Sequence, residues 1–243
     1  MRKSKSLINK IWFSLISGII VIATFIISIN YNLFNLFGGM PSLQDLEKPE
    51  SELSSELYSS DNKLLGKYFR YNRSPVKFNE LSDQLVTTLL VTEDIRFYDH
   101  SGIDLKGLIR ASYGVGKNIL TFGASGLEGG GSTITQQLAK NLFKIRREKK
   151  GKLSGVPFLG LVISKVKEWI VAVKLEEFYT KKEILAMYLN TAEYGSNSYG
   201  IKVASKTYFN KLPSELNYNE SSIIVGLLNK PTKYNPYFNP ENA

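Results

Sequence analysis

The side chains available for chemistry in this chain are carboxylates, ammonium groups and hydroxyls. Its 243 residues include no cysteine and one histidine, His100. Disulfides, thiolate metal sites and cysteine nucleophiles are therefore excluded, and a Ser-His-Asp triad would depend on a single residue. Three groups of residues carry suitable chemistry. The first is Glu93 and Asp94 in the segment T-E-D-I-R-F-Y-D-H. If that segment is helical, Glu93, Phe97 and His100 share one face at i, i+4 and i+7, and Asp94 points about 100° away. An apolar wall raises a carboxylate's pKa and lets it take a proton from a hydroxyl at neutral pH. A lone glutamate in a mixed helix is nonetheless more often solvated than catalytic. The second group runs from Gly129 to Gln137 and places a glycine-rich loop and the hydroxyls of Ser132, Thr133 and Thr135 at a predicted helix N-terminus. Backbone N–H groups there can hold an anion, and Lys140 follows on the same helix. Ser132 as a simple helix cap is the plainer reading, and the P-loop pattern G-x-x-x-x-G-K-[ST] does not occur. In the third group, Lys165 and Glu168 stand at i, i+3 with Lys167 beside the acid, which in isolation is a surface ion pair worth little.

The elements that must hold these groups read as mainly helical. Leu81, Leu85, Leu89 and Leu90 recur near the 3.6-residue period into the Glu93 segment. A second helix is predicted over Ser132 to Phe143, and a third near Lys165 to Tyr179. Thr180 with Glu183 forms a capping-box signature for a fourth, Lys181 to Asn190, whose apolar stripe is Ile184, Leu185, Tyr188 and Leu189. A small β-hairpin is predicted around Asp61-Asn62, between Glu56–Ser59 and Leu64–Phe69. Pro41 to Glu52 is polar and acidic and reads as a linker. Lys144 to Lys152 is a basic loop. The apolar stretch Val156 to Ile163 that follows suits either the bilayer surface or a packed core.

From Ile11 to Ile29 the chain carries no charge, and at about 1.5 Å per residue this run nearly matches a hydrocarbon core of roughly 30 Å. Asn30-Tyr31-Asn32-Leu33-Phe34 follows it, with none of the small residues of a cleavage site, so an uncleaved anchor is preferred to a signal peptide or a core helix. Arg2, Lys3, Lys5 and Lys10 precede the run with no acid among them. They take four of the nine net positive charges, so the remainder carries +5. The positive-inside bias puts residues 1–10 in the cytoplasm, makes 11–30 the transmembrane anchor, and puts the rest outside. A basic remainder alone suits nucleic acid, anionic lipid or a pyrophosphate-bearing substrate equally well.

The motifs narrow that choice. E-D-x-x-F-x-x-H-x-G-[IV]-D at Glu93–Asp104, G-G-S-T-I-T-Q-Q-L-A-K-N at Gly130–Asn141, K-x-K-E-W at Lys165–Trp169 and Y-[ST]-K-x-E-I-L-x-x-Y-L-N at Tyr179–Asn190 resemble successive motifs of the peptidoglycan glycosyltransferases. These form the polymerase domain of class A penicillin-binding proteins and their monofunctional relatives. A fifth motif, G-x-x-x-Y-G-I-x-x-A-x-x-x-Y-F, fits Gly195–Phe209. The resemblance implies a mainly α, lysozyme-like glycosyltransferase domain over 71–243 with a membrane-proximal subdomain, preceded by a linker and hairpin over 31–70. It implies polymerisation of lipid II into β-1,4 glycan strands, with inversion and release of undecaprenyl pyrophosphate, at the outer face of the bacterial cytoplasmic membrane. By motif, Glu93 would deprotonate the acceptor hydroxyl, Asp94 would support it, and Glu168 would complete the catalytic acids. His100, Ser132, Thr135, Gln136, Gln137, Lys140, Lys165 and Lys167 would bind substrate, and a divalent cation, Mg²⁺ or Mn²⁺, would help neutralise the pyrophosphate, with ligands in the Glu93–Asp94 region or on the substrate. Implied partners are lipid II, the growing lipid-linked glycan, the membrane, the cell-wall synthesis machinery and a transpeptidase; nucleic acid is not implied.

Two departures from the family pattern matter. Ser164 stands where the family has arginine before Lys165, so Arg146 or Arg147 is expected to supply the missing cation. The connection from Lys144 to Ile163 is also longer than usual. Ser60-x-x-Lys63 and Ser164-x-x-Lys167 match S-x-x-K, but no K-[ST]-G follows, which argues against a transpeptidase within the chain. The chain stops at Ala243 where family members continue, so a fragment of a bifunctional enzyme is expected. A lysozyme-like hydrolase or lytic transglycosylase and a non-catalytic assembly scaffold are the competing readings.

Overall fold

A computed structural model describes residues 2–47, 55–61, 64–68, 75–120, 131–143, 145 and 151–242. Helix α1, Arg2–Asn30, contains an apolar span from Ile8 to Asn30 with mean hydropathy 2.4, exposed along most of its length but buried at Ile29, near its end. Ile11, Phe13 and Ile22 are each at least 60 % exposed. An unbroken apolar surface of this kind is stable in a hydrocarbon solvent and not in water, and a helix keeps every backbone hydrogen bond internal there.

Helix α1 does not lead into a free tether. Asn32 takes a left-handed conformation, and its side-chain carbonyl accepts from the backbone N–H groups of Phe37 and Gly38, at 3.1 and 2.7 Å. That turn folds Phe37 back onto Ile29. Both residues are buried with Ile163 and Val166 of α6, Pro157–Phe178. The predicted linker is therefore partly structured: Leu43–Glu47 forms a short helix, α2, Leu46 is fully buried, and the Tyr179 hydroxyl donates to the Leu46 carbonyl. The hairpin forms as predicted, with β1, Ser55–Tyr58, antiparallel to β2, Leu64–Tyr68.

The remaining elements make a helical body, as the periodicity predicts. Helix α3 covers Asp83–Glu93, α4 Leu105–Leu120, α5 Ile134–Leu142, α7 Lys181–Thr191, α8 Ile201–Phe209 and α9 Tyr218–Asn229. Leu85 and Leu89 of α3 face α9, while α5 packs against α6 and α7. Four observations correct the sequence reading. First, the α3 helix stops at Glu93, so the shared face of Glu93, Phe97 and His100 does not exist; Asp94 closes the helix with φ −157°, and Phe97–Asp99 is a 3₁₀ turn. Second, α5 is capped by Thr133, not Ser132, with the Thr133 hydroxyl accepting from Gln136 N–H. Third, α6 begins at Pro157, well before Lys165, with proline at the first helical position, where its missing N–H costs nothing. Fourth, α4, α8 and α9 are helices that no boundary signal had delimited. The Thr180–Glu183 capping box is present as predicted.

Candidate active site

The motifs converge where the end of α3 meets the start of α5, which packs against α6 and α7. Glu93, the last residue of α3, accepts from Gln137 Nε2 at 2.8 Å. Asp94, only 7 % exposed, faces His100 Nε2 with both oxygens at 3.2 Å and accepts from the backbone N–H of Ile134 at 3.1 Å. A carboxylate at a helix N-terminus is favourable both as an acceptor for an orphan N–H and against the helix dipole. Asp94 therefore ties the start of α5 to the end of α3, a supporting geometry.

Behind this junction lies a buried polar network. Thr135 donates to Glu176 of α6 at 2.6 Å, and Lys181 of α7 donates to the same carboxylate at 2.9 Å and to the His100 carbonyl at 2.6 Å. The Lys181 ammonium also sits 4.2 Å from the centre of the Phe97 ring. Thr133 and Gln136 both donate to the Gly102 carbonyl, at 2.8 and 3.1 Å. The side chains of Thr135, Gln136 and His100 thus serve the framework. None of the three lines the cleft, which differs from the substrate contacts expected of them.

The cleft itself has a volume of about 580 Å³. Glu93 and Asp94 line it from the end of α3, and Ser132, Gln137 and Lys140 from α5 and the residues before it; Arg96, Asp104 and Arg110 line it as well. Next to Ser132, Lys165 donates to Ser132 Oγ at 2.6 Å and to Glu168 Oε2 at 3.0 Å, and Glu168 is 1 % exposed. Lys165 therefore reaches the cleft wall through Ser132. Lys167, also 1 % exposed, turns the other way and donates to the Gly39 carbonyl at 3.3 Å, so it joins α6 to the segment that follows α1 and does not line the cleft. Ser164 Oγ donates back to the Gly160 carbonyl at 2.8 Å, which makes it a helix-bound hydroxyl. Arg146 and Arg147, named for the missing cation, lie outside the described residues.

Sequence reasoning missed three contributors. Arg96 donates to Asp104 at 3.0 Å, and that hydrogen bond holds the Asp104 carboxyl below its ordinary range, with help from the Gly107 N–H and against the cost of desolvation. Arg110 is exposed on the α4 side of the cleft. Tyr188, counted only as part of an apolar stripe, donates its hydroxyl to Gln137 Oε1 at 3.0 Å. Arg96 and Asp104 fall inside the first motif, so their place was marked there without a role. Nothing in the sequence distinguishes the Tyr188 hydroxyl from a packing ring.

Among the described residues no group of three histidines or acids gathers to hold a metal. Glu93, Asp94 and Glu168 each face a protein donor instead. Among the described residues, then, no cage of protein ligands is assembled for the divalent cation that the resemblance implies.

The comparisons with known proteins agree with the motifs. The transglycosylase family model matches residues 61–243. The chain is 34 % identical over 224 residues to penicillin-binding protein 1A of Aquifex aeolicus, covering 92 % of this chain and 28 % of that protein. Penicillin-binding protein 1A of Escherichia coli is 32 % identical over 204 residues, covering 84 % and 22 %. Penicillin-binding protein 1F of Bacillus subtilis is 35 % identical over 223 residues, covering 92 % and 28 %. A solved structure of penicillin-binding protein 1A from Haemophilus influenzae aligns with 79 % of this chain and 16 % of its own, at 21 % identity and a TM-score of 0.37. The chain spans about a quarter of the length of these curated relatives. With five motifs in order and a family model matching three quarters of its length, this chain belongs to the transglycosylase family, the peptidoglycan glycosyltransferases.

Proposed function

We propose that the cleft polymerises lipid II into β-1,4 glycan. The observation that carries this reading is a single cleft with a carboxylate, Glu93, on one side and Lys140 and the Ser132–Lys165 pair on another. Glu93 takes the proton from the acceptor's 4-hydroxyl, the freed oxygen attacks the donor's anomeric carbon with inversion, and the bond from that carbon to the pyrophosphate breaks. The pyrophosphate leaves with the electron pair, and cations fixed at that end stabilise the charge where it develops. Lys140 meets it directly, while Glu168 holds Lys165 against Ser132. A divalent cation would travel on the substrate's pyrophosphate, since magnesium commonly uses few protein ligands; every step above is carried by the chain's own residues. The anchor keeps the cleft beside the bilayer that supplies a lipid-linked substrate, on the side opposite the basic residues 2–10. The cell-wall machinery and a transpeptidase are the partners this role implies.

Incubation of the detergent-solubilised protein with lipid II tests the reading. Long glycan chains with release of undecaprenyl pyrophosphate are expected. Cleavage of preformed glycan without polymer formation would assign the cleft to a hydrolase, against which the cationic donor side argues, because hydrolysis expels no pyrophosphate.

A further inference from the structure

We propose that Tyr188 is a positioning residue for the reaction assigned above, acting through Gln137 to fix how the cleft presents Glu93. Three elements contribute one group each: Glu93 ends α3, Gln137 lies in the first turns of α5, and Tyr188 sits in the middle of α7, 2 % exposed. The contacts run in series, from Tyr188 Oη to Gln137 Oε1 at 3.0 Å and from Gln137 Nε2 to Glu93 Oε2 at 2.8 Å.

The chemistry of the amide gives the series its meaning. A side-chain amide has one donating and one accepting end, and an ionised carboxylate only accepts. If the amide turned over, its carbonyl would face Glu93 and repel it. The acceptor-only carboxylate disfavours this, and the phenol adds to the same preference by donating to the carbonyl end. Burial, and then the charge of Glu93, holds the Tyr188 pKa well above its ordinary value, so the hydroxyl keeps its proton and donates to the carbonyl end. The amino end is thereby committed to Glu93. Tyr188 does not line the cleft, so it touches no substrate. The other charged groups lining the cleft are Asp94, Arg96, Asp104, Arg110 and Lys140.

The test is Tyr188→Phe, alone and combined with Gln137→Leu, in the full detergent-solubilised chain. Removing the hydroxyl should lower kcat about five- to tenfold, the worth of one neutral hydrogen bond, with KM unchanged and the melting temperature lowered by only a few degrees. In the Gln137→Leu background the same change should have no further effect, because the route to Glu93 is already cut. Equal losses in both backgrounds, or full activity in Tyr188→Phe, would overturn the proposal. A second readout needs no turnover. The side-chain amide resonance of Gln137, assigned through Gln137→Leu, should move in Tyr188→Phe, and an unmoved signal also overturns the proposal. If the wild-type chain makes no polymer from lipid II, the assigned reaction fails and the amide resonance alone decides the positioning. If Tyr188→Phe does not fold, the wild-type hydroxyl is read instead: a slowly exchanging Tyr188 hydroxyl proton that exchanges faster in Gln137→Leu supports the contact, and one unaffected by Gln137→Leu overturns it.

Discussion

Glu93 can be separated from its structural neighbours because its glutamine analogue keeps the contact with Gln137. Glu93→Gln retains an oxygen to accept from Gln137 Nε2, so the end of α3 should stay in place while the base is lost. Polymerisation should fall by roughly 10²-fold or more, the range for a missing general base, with an unchanged melting temperature. Near-normal glycan synthesis in this variant would remove Glu93 from that role. Asp104 illustrates a different kind of acid. Its pKa is held down chiefly by the Arg96 hydrogen bond, so its contribution to stability is complete above the ordinary aspartate value of 3.8 and is lost as pH falls through the lowered one. Asp104→Asn should therefore melt below wild type at neutral pH, and the gap should close in acid; a gap independent of pH would sink this assignment. The motifs located most of the cleft, including Glu93, Asp94, Ser132, Gln137 and Lys140. What they did not distinguish was which side chains face substrate and which hold the frame. Thr135 and Gln136 neighbour Gln137 in sequence, yet helical rotation turns them onto Glu176 and Gly102.

At the scale of elements, the site depends on how closely the loop after the first motif passes α6. Gly102 has φ +86°, and a Cβ there would lie 2.8 Å from the Ala172 carbonyl carbon and 2.9 Å from its oxygen. The Gly102 carbonyl also receives Thr133 and Gln136, which fix the start of α5. Gly102→Ala should cost about 1–3 kcal/mol of stability through the strained φ and displaced backbone. It should also lower activity beyond the stability loss, because the start of α5 carries Gln137 toward Glu93. Thermal unfolding paired with a lipid II assay well below the melting temperature checks this, and wild-type activity there would show that the loop only supports the fold. Helices with an apolar stripe and a cap were legible beforehand, as the Thr180–Glu183 box and the Leu85–Leu89 spacing demonstrate. The end of α3 was not. No glycine or proline follows Glu93, and what turns Asp94 out of the helix is a contact with Ile134, 40 residues away. Periodicity carries no information about such a tie.

At the scale of the whole molecule, the end of α1, the candidate membrane anchor, is part of the folded body. Ile29 and Phe37 cover Ile163 and Val166 of α6, and Lys167 holds the Gly39 carbonyl two residues from Lys165 and one from Glu168. A chain that begins at Pro41 would lose that cover and leave Ile163 and Val166 facing solvent beside Phe158 and Leu161, which are already 78 % and 63 % exposed. The resulting patch joins two apolar surfaces on one helix, and such patches seek a membrane or one another. The shortened protein should therefore still float with lipid vesicles, more strongly with anionic ones given the basic remainder, and should aggregate without detergent. It should also polymerise lipid II less well than the full chain, in proportion to the loosened hold on the segment of α6 that carries Lys165 and Glu168. A shortened protein that stays monomeric without detergent, ignores vesicles and keeps full activity would show that the anchor only tethers, and that its packing against α6 does nothing for the site.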